Sequence, residues 1–473
     1  MATTLTQRKL LLGGEWIETG DWLEVRSPYS GEVVGRVAKA GAEETRRAID
    51  AAELAMREPL PAHKRAEILV RVAGALGRRH DEVARQISDE AGKPMKAARI
   101  EARRAMSTYT FAAVEARKLA GEMVPMDAAQ AGEGKLAFTL RHPIGIVGAI
   151  SPFNFPLNLV AHKLAPALAA GCAVVLKPAS QTPLSALLLA ELEEEAGLPP
   201  GWLNVVVGSA SEIGDVLVED DRVKAITFTG SGTVGWKLKE RAPRKRVNLE
   251  LGNATPVIVC SDAPADTVDK IAANAFSFAG QSCISIQRVY VMEEIWDDFL
   301  RDLVPKVEAL KVGDPADEET DVGPVIDDDA RERILDWIKA TSGEVVAGGE
   351  ATDDGLITPT VIVNPDPSDK VSCEEVFGPV VTVTRTSSLD EAIELANSTR
   401  YGLQAGIFTN SVDAAFSAAP RLDFGGITIN EAPTFRSDQM PYGGVKESGN
   451  TREGPHYAVR ELTEERLVVL ELP

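Results

Sequence analysis

An α/β fold built around parallel sheets is the class this sequence predicts, and three observations carry the expectation. From Ile144 onward, short apolar runs alternate with stretches of helical periodicity, the rhythm of strand–helix–strand units with right-handed crossovers. The chain has 473 residues, 44% of them hydrophobic, which at roughly 150 residues per domain gives about three domains with a core of ordinary size. Gly and Pro are spread through the chain, with no low-complexity tract and no short-period repeat, so a disordered or fibrous chain is excluded.

The elements follow in order. Helical periodicity occupies Arg46–Met56, Arg65–Glu90 and Met95–Lys118, with apolar side chains at i, i+3 and i+4. Gly92-Lys93-Pro94 separates the second from the third. Residues 119–142 change character: Gly, Asp and Gln precede Lys135–His142, which alternates like a strand. Ile144–Ile150 is then a strand, followed by a loop and a helix over Leu157–Ala170. The buried strand Ala173–Leu176 leads to a helix over Pro183–Glu195, and Leu203–Val207, Ser211–Val218 and Lys224–Thr229 continue as strand, helix and strand. A second run has Pro256–Cys260 and Gln287–Val291 as strands, with Pro264–Ala279 and Glu294–Leu310 as helices. Val361–Val363, Val380–Thr384, Ala405–Phe408 and Ile427–Ile429 are further strands, and Arg466–Leu470 is one in the tail. The pattern predicts two α/β domains and a smaller piece made from 119–142 and the tail.

Seventy-one acidic against fifty basic side chains leave a formal charge of −21. Phosphate-rich partners would be repelled, so neither nucleic acid nor an anionic membrane surface is expected. Met1–Gly20 lacks a basic-then-apolar leader pattern. The most apolar stretch, Leu164–Leu176, is shorter than the roughly 20 residues of a spanning helix. The four cysteines, Cys172, Cys260, Cys283 and Cys373, are dispersed, with no CxxC and no metal-ligand spacing. Neither a disulfide scaffold nor a metal site is expected, and a reducing, cytoplasmic setting is.

After Lys224–Thr229 comes Gly230-Ser231-Gly232-Thr233-Val234-Gly235, a G-x-G-x-x-G between a strand and a helix. Glycines permit a tight turn and close backbone approach to phosphate, and the helix N-terminus favours negative charge. An ordinary glycine turn is the alternative. The same rule wants an acidic residue about 20 positions on for a ribose hydroxyl, and Glu250, after Arg246–Leu249, fits that place.

Phe278-Ala279-Gly280-Gln281-Ser282-Cys283, with Arg288 beyond it, resembles the nucleophile segment of the aldehyde dehydrogenase superfamily. Leu249-Glu250-Leu251-Gly252 resembles its general-base motif, and Pro152-Phe153-Asn154-Phe155-Pro156 its oxyanion segment. Lys177-Pro178-Ala179-Ser180, Phe228-Thr229-Gly230-Ser231, Glu375-Val376-Phe377-Gly378-Pro379 and Pro441-Tyr442-Gly443-Gly444-Val445-Lys446 match in the same order, over nearly the whole chain. The resemblance implies a Rossmann-like cofactor domain over 1–118 and 143–250 and an α/β catalytic domain over 251–440. It also implies a small β oligomerisation element from 119–142 and 455–473, giving dimers or tetramers whose tail strands extend a neighbour's sheet.

The chemistry this implies is oxidation of an aldehyde to the acid. A free aldehyde does not release hydride readily; a thiolate adduct does, because its alkoxide collapses and expels one. Cys283 is the candidate thiolate, and a thiol of pKa about 8.5 needs an electropositive or hydrogen-bonded site to ionise. The small apolar role usual for cysteine suits Cys172, Cys260 and Cys373. The alkoxide needs preorganised donors, which the resemblance assigns to the Asn154 amide and the Cys283 backbone N–H. Glu250 is then the base that hydrolyses the thioester, not the ribose ligand of the spacing rule. The resemblance gives the ribose to Lys177 and Glu375, and the family's turn does not need the second glycine of Gly230–Gly235.

Cofactor contacts are implied along Ile150, Ser151, Pro152 and Phe153, at Gly208, Phe228, Gly230 and Leu251, at Ser231 for pyrophosphate, at Val234 for adenine and at Phe377 for the nicotinamide ribose. Strictly NAD-dependent relatives usually carry glutamate where Ser180 stands. Serine removes the repulsion of a 2′-phosphate and can donate to it, so NADP is expected to be accepted beside NAD, or preferred. Asn253 replaces a usual glycine, and asparagine is a residue that tolerates positive φ. Thr451 replaces another before Arg452-Glu453. Glu453 matches a family glutamate near the proton-exit path, or is a solvated carboxylate.

Substrate identity is weakly encoded. His162 stands where semialdehyde-oxidising relatives often have an arginine, which lowers the expectation of succinic semialdehyde. Arg104, His162, Gln287 and Arg436 are candidates for the substrate mouth. The segment Thr434–Met440 resembles the branch acting on small polar aldehydes such as lactaldehyde, glyceraldehyde 3-phosphate, phosphonoacetaldehyde or sulfolactaldehyde, whose anionic members would pair with arginine. A surface arginine balancing Asp438 is the alternative for Arg436. A CoA-acylating dehydrogenase is disfavoured by Glu250, a cysteine hydrolase by the lack of a partnered histidine motif, and a silent scaffold by retention of Cys283, Glu250 and Asn154.

Overall fold

The structure is a computed structural model that describes residues 6–473. Among the described residues the strands form two seven-stranded and two three-stranded sheets. In the first large sheet Arg246–Glu250, Val223–Thr229, Ile146–Ile150, Val174–Lys177 and Leu203–Val205 are parallel neighbours. Leu10–Leu12 and Glu15–Ile17 then close its edge antiparallel. Every residue of Val174–Lys177 and of the helix Asn158–Ala170 is buried, which is why both read as apolar throughout rather than as amphipathic. Met95–Lys118 packs against that helix and against Ala62–Arg78.

The second large sheet orders Glu344–Ala347, Thr360–Val363, Val380–Thr386, Ile286–Met292, Thr255–Val259, Gln404–Phe408 and Gly426–Ile429, all parallel neighbours except the first pair. The tail strand Thr463–Glu471 pairs antiparallel with Lys135–Pro143, whose other side carries Met123–Val124. The tail and segment 119–142 therefore share one small sheet. Its edge strand exposes Leu467, Val469 and Leu470.

Several elements differ from the periodicity. Arg65–Glu90 is two helices, Ala62–Arg78 and His80–Ala91, meeting at Arg79, whose φ of −102° and ψ of 24° leave the helical region. Gly77, in the last turn before Arg79, is the sole local mark of the break, and the apolar spacing runs through it. The helix expected over Pro264–Ala279 spans Thr267–Ala275, and its continuation turns left-handed at Phe278 and Ala279. The N-terminal sheet of Thr6–Arg8, Trp22–Arg26 and Val33–Ala38 was not expected. Nor were the helices Asp328–Ala340, Leu389–Asn397 and Val412–Ala418.

One buried ion pair ties two loops together. Lys93, in the break before Met95–Lys118, pairs with Glu101 on that helix, and both side chains are sealed from solvent. Glu101 Oε1 accepts the backbone N–H groups of Leu157 (2.9 Å) and Asn158 (3.1 Å), satisfying bare donors at the start of Asn158–Ala170. The Lys93 ammonium lies 3.7 Å from the Phe155 ring centroid and 4.4 Å from that of Phe278. The segments carrying Asn154 and Cys283 are thus fastened to the same charge. Glu101→Ala strands a buried ammonium and two N–H groups, and is expected to lower the unfolding free energy by about 3–5 kcal/mol. Lys93→Met combined with Glu101→Gln keeps an acceptor without the charge and is expected to cost less; urea unfolding of both variants checks the order.

Candidate active site

Cys283 lies in the loop between Thr267–Ala275 and Ile286–Met292. Phe278 and Ala279 hold φ of 51° and 52°, and Gly280 follows at 69°. A Cβ on Gly280 would stand 2.1 Å from the Gly378 carbonyl oxygen. Left-handed backbone at non-glycine residues costs about 1–3 kcal/mol each and persists only where the surroundings enforce it. Gln281 supplies part of that enforcement: its amide donates to the Phe278 and Pro324 carbonyls, and its Oε1 accepts from Ile326 N at 2.8 Å. Cys283 is half-buried, with Sγ 2.8 Å from the Tyr442 hydroxyl. Burial pushes the thiol up to about 12, against the Tyr442 hydrogen bond and the Arg436 charge, which lower it. Asn154 reaches the same loop, donating from Nδ2 to the Gln281 carbonyl at 2.9 Å, with its second N–H left over. The Cys283 backbone N–H has no acceptor among the described residues.

Glu250 ends the strand Arg246–Glu250 and is 4% exposed. Neither of its carboxylate oxygens has a hydrogen-bond partner among the described residues. Burial, and then the negative charge of Glu453, push its carboxyl well above the usual range. Gly443 makes room for it: a Cβ there would sit 2.7 Å from Glu250 Oε1. Lys163 donates to Thr229 Oγ1 at 2.6 Å and stands 3.6 Å from Glu453, while Arg436 Nη2 donates to Glu453 at 2.9 Å. Burial opposes the charge on Glu453, but the two cations outweigh it and hold that carboxyl at about 2. Glu453 is therefore a buried ion-paired carboxylate, not a solvated one.

A groove of ≈ 740 Å³ is lined by Ser231, Thr233, Trp236, Glu375, Phe377 and Tyr401, among others; Glu250 does not line it. The helix Gly232–Arg241 opens at this groove with Ser231 at its cap, no acidic residue in its first turn and no side chain on its bare N–H groups, an arrangement that suits an anion. Of the three glycines in the fingerprint, Gly235 is closely packed, since a Cβ would stand 2.6 Å from Leu251 Cδ2 and displace that side chain. At Gly232 the nearest atom is 3.8 Å away, so packing does not demand glycine. The Lys177 side chain is buried, its ammonium makes no hydrogen bond among the described residues, and burial lowers it to about 8. Ser151 Oγ is likewise buried without a partner. Two unsatisfied polar groups and an open helix N-terminus fit a dinucleotide.

The other cofactor candidates are placed as follows. Glu375, raised by burial to about 7, accepts from Asn253 N at 2.9 Å, and Gly252 leaves it space, because a Cβ would lie 2.3 Å from Glu375 Oε2. The Phe377 ring meets Phe153 edge-on at 5.7 Å. Val234 is 47% exposed, and Ser180 Oγ donates to the Gly208 carbonyl at 3.0 Å. Pro152 and Ile150 are partly exposed, Phe228 and Gly230 touch one another, and Gly208 closes on Ala40, whose carbonyl oxygen would be 2.2 Å from an added Cβ.

Three of the four substrate candidates come together. Asp438 Oδ1 accepts from Arg104 Nη2 (3.0 Å) and meets His162 Nε2 (3.1 Å), and Arg436 Nη2 is 3.3 Å from that same ring nitrogen. Gln287 does not join them. Its amide donates to the Val371 and Glu374 carbonyls and its Oε1 accepts from Val376 N, so it braces the Glu375 segment from within the core. Arg436 is not a surface residue balancing Asp438: its side chain is 5% exposed and paired with Glu453. Asn253 lies outside the positive-φ residues. Its amide instead donates to Thr255 Oγ1 and the Gln404 carbonyl, replacing a turn requirement with a side-chain tie. Sequence reasoning missed Lys93, Glu101, Lys163 and Asp438 as parts of the site. A lysine and a glutamate eight residues apart across a helix start gave no local sign of burial.

Residues 16–468 match the aldehyde dehydrogenase family. The 3-sulfolactaldehyde dehydrogenase of Priestia aryabhattai is 43% identical over 476 residues, covering 99% of this chain and 100% of its own. The crystal structure of aldehyde dehydrogenase 21 from Physcomitrella patens, in complex with the reaction product succinate, matches with a TM-score of 0.95 at 39% identity over 99% of both chains. That of glyceraldehyde-3-phosphate dehydrogenase GapN from Methanocaldococcus jannaschii, complexed with NADP, matches at 0.92 with 38% identity, covering 96% of this chain and 100% of its own. Among the described residues no helix is long and apolar enough to cross a membrane, and no group of three or more His, Cys, Asp and Glu is placed to hold a metal ion.

Proposed function

Since the chain belongs to the aldehyde dehydrogenase family and uses NAD(P), we propose that Cys283, Asn154 and Glu250 carry the oxidation of a small, polar and preferably anionic aldehyde to its acid. The observation that carries this is the bare carboxylate of Glu250, buried near a nucleophile held at a strained turn. Cys283 Sγ adds to the aldehyde carbon, and the Asn154 amide and Cys283 N–H receive the oxygen as it becomes negative. The bound dinucleotide supplies the hydride acceptor. The acyl group is left on sulfur as a thioester; Glu250 takes a proton from water, the water oxygen bonds the acyl carbon, and sulfur leaves as thiolate. Lys177 and Glu375 would hold the ribose hydroxyls and the Ser231 turn the pyrophosphate.

Ser180 supports acceptance of NADP: a hydroxyl in place of a carboxylate removes repulsion of a 2′-phosphate. The substrate class rests on Arg104 and Arg436 at the Asp438 cluster and on the likeness to the 3-sulfolactaldehyde dehydrogenase. Succinic semialdehyde is the second reading, favoured by the likeness to the structure holding succinate. The first large sheet would be the core of the cofactor domain and the second that of the catalytic domain. The apolar edge at Leu467–Leu470 would join a second copy of the chain, and the free cysteines suit the cytoplasm.

Glu250→Gln is expected to leave the first hydride transfer intact while thioester accumulates on Cys283, visible by intact-mass spectrometry; Cys283→Ser is expected to lose both. In the wild type, turnover should rise with pH through a limb above the ordinary glutamate range, because the raised carboxyl must lose its proton to act; an unchanged profile in Glu250→Gln would contradict the assignment. An aldehyde panel run with both cofactors should give the highest kcat/KM for sulfolactaldehyde-type substrates, and Ser180→Glu should lower kcat/KM for NADP by about tenfold or more relative to NAD.

A further inference from the structure

We propose that Tyr442 is a catalytic residue whose hydroxyl donates a hydrogen bond to the Cys283 sulfur and stabilises the thiolate that attacks the aldehyde. The inference rests on Cys283 being the nucleophile. Tyr442 is 4% exposed, and its hydroxyl has one partner among the described residues, Cys283 Sγ at 2.8 Å. A neutral thiol could give or take that hydrogen bond. A thiolate can only take it, so ionisation fixes the tyrosine as donor.

The surroundings hold the phenol in that role. Burial, and then the charge of Cys283, push the Tyr442 hydroxyl well above its usual range, so it keeps its proton where the thiolate forms. The Arg436 guanidinium lies 3.8 Å from the ring centroid. A cation over the ring face draws electron density from the phenol and makes its O–H a better donor. Four charged or titratable groups act on Cys283: Tyr442 and Arg436 favour the thiolate, Glu375 and Glu250 oppose it. Of these, Tyr442 alone is recorded within hydrogen-bond reach of the sulfur.

The tyrosine is also fixed in place by a closed circuit. Its backbone exchanges two hydrogen bonds with Glu453, N to O at 3.2 Å and O to N at 2.6 Å. The Glu453 carboxylate holds Arg436, and Arg436 covers the Tyr442 ring. Ile284 and Leu403 pack on the ring from the core, and the next residue, Gly443, abuts Glu250. A phenylalanine would satisfy every one of these packing and backbone contacts. The hydroxyl is accounted for only by the sulfur.

Tyr442→Phe tests the idea with one atom. Alkylation of Cys283 by iodoacetamide, followed by mass spectrometry of its peptide from pH 6 to 10, reads thiol ionisation directly. At each pH in that range, below the thiol's own midpoint, the alkylation rate is expected to fall about tenfold, with the acylation burst near neutral pH slowed to the same degree, and cofactor affinity and thermal midpoint unchanged. An unchanged alkylation rate would overturn the proposal, even if turnover fell. If Cys283→Ser is inactive and the alkylation rate of Tyr442→Phe is unchanged, the role of Tyr442 alone fails; if Cys283→Ser still turns over, the nucleophile assignment beneath it fails.

Discussion

The site depends on a carboxyl group buried without hydrogen bonds. Glu250 has both oxygens bare at the end of a parallel strand, and an isolated charge there would cost several kcal/mol. The protein does not pair it. Lys163 and Arg436 instead favour its charge from a distance while bonding directly to Glu453. Two neighbouring carboxyls are thereby driven apart: Glu453 stays ionised down to about pH 2, and Glu250 is pushed upward. The proposed role of Glu250 in exchanging protons would need the second environment, and a group that holds cations needs the first.

Space for these groups is made by removing side chains from the backbone. Gly252 lets Glu375 lie across its turn, Gly443 admits Glu250, and Gly280 lets the Cys283 loop close on Gly378. Where the chain offers no glycine it bends nevertheless: Phe278, Ala279, Phe377 and Lys446 all carry positive φ within motifs of the site. Such backbone has to be held by its neighbours. Gln281 and the Lys93–Glu101 pair do so for the Cys283 loop.

This division explains what the sequence reveals. Cys283, Glu250, Asn154 and Glu375 stand in short contiguous motifs, because each must sit on a particular turn, and a turn is local. The parallel strands are legible for the same reason: Val174–Lys177 is apolar up to its final lysine, and Ile286–Met292 is apolar apart from Gln287 and Arg288, both at the expected places. Lys93, Glu101, Lys163 and Asp438 were not legible, since their meaning lies in partners distant in the chain, as with Asp438 and Arg104, 334 positions apart. Gln287 misled in the opposite direction. A polar residue beside a nucleophile segment suggests substrate contact, yet its three hydrogen bonds all serve the backbone of 371–376.

The same accounting of partners bears on substrate charge. Arg436 is occupied on one side by Glu453 and on its face by Tyr442, while its Nε is buried without an acceptor. Arg104 is held by Asp438, whose carboxyl lies at about 2, and burial and Arg436 lower the His162 imidazole. Arg104, Lys163 and Arg436 thus stand as three basic groups around two carboxylates, Asp438 and Glu453, one more than the acids they contact. In a chain of formal charge −21, a cationic spot in a low-dielectric recess focuses the field on small anions. Selectivity for an anionic aldehyde would then need no dedicated salt bridge, only a pocket in which every arginine already has its place.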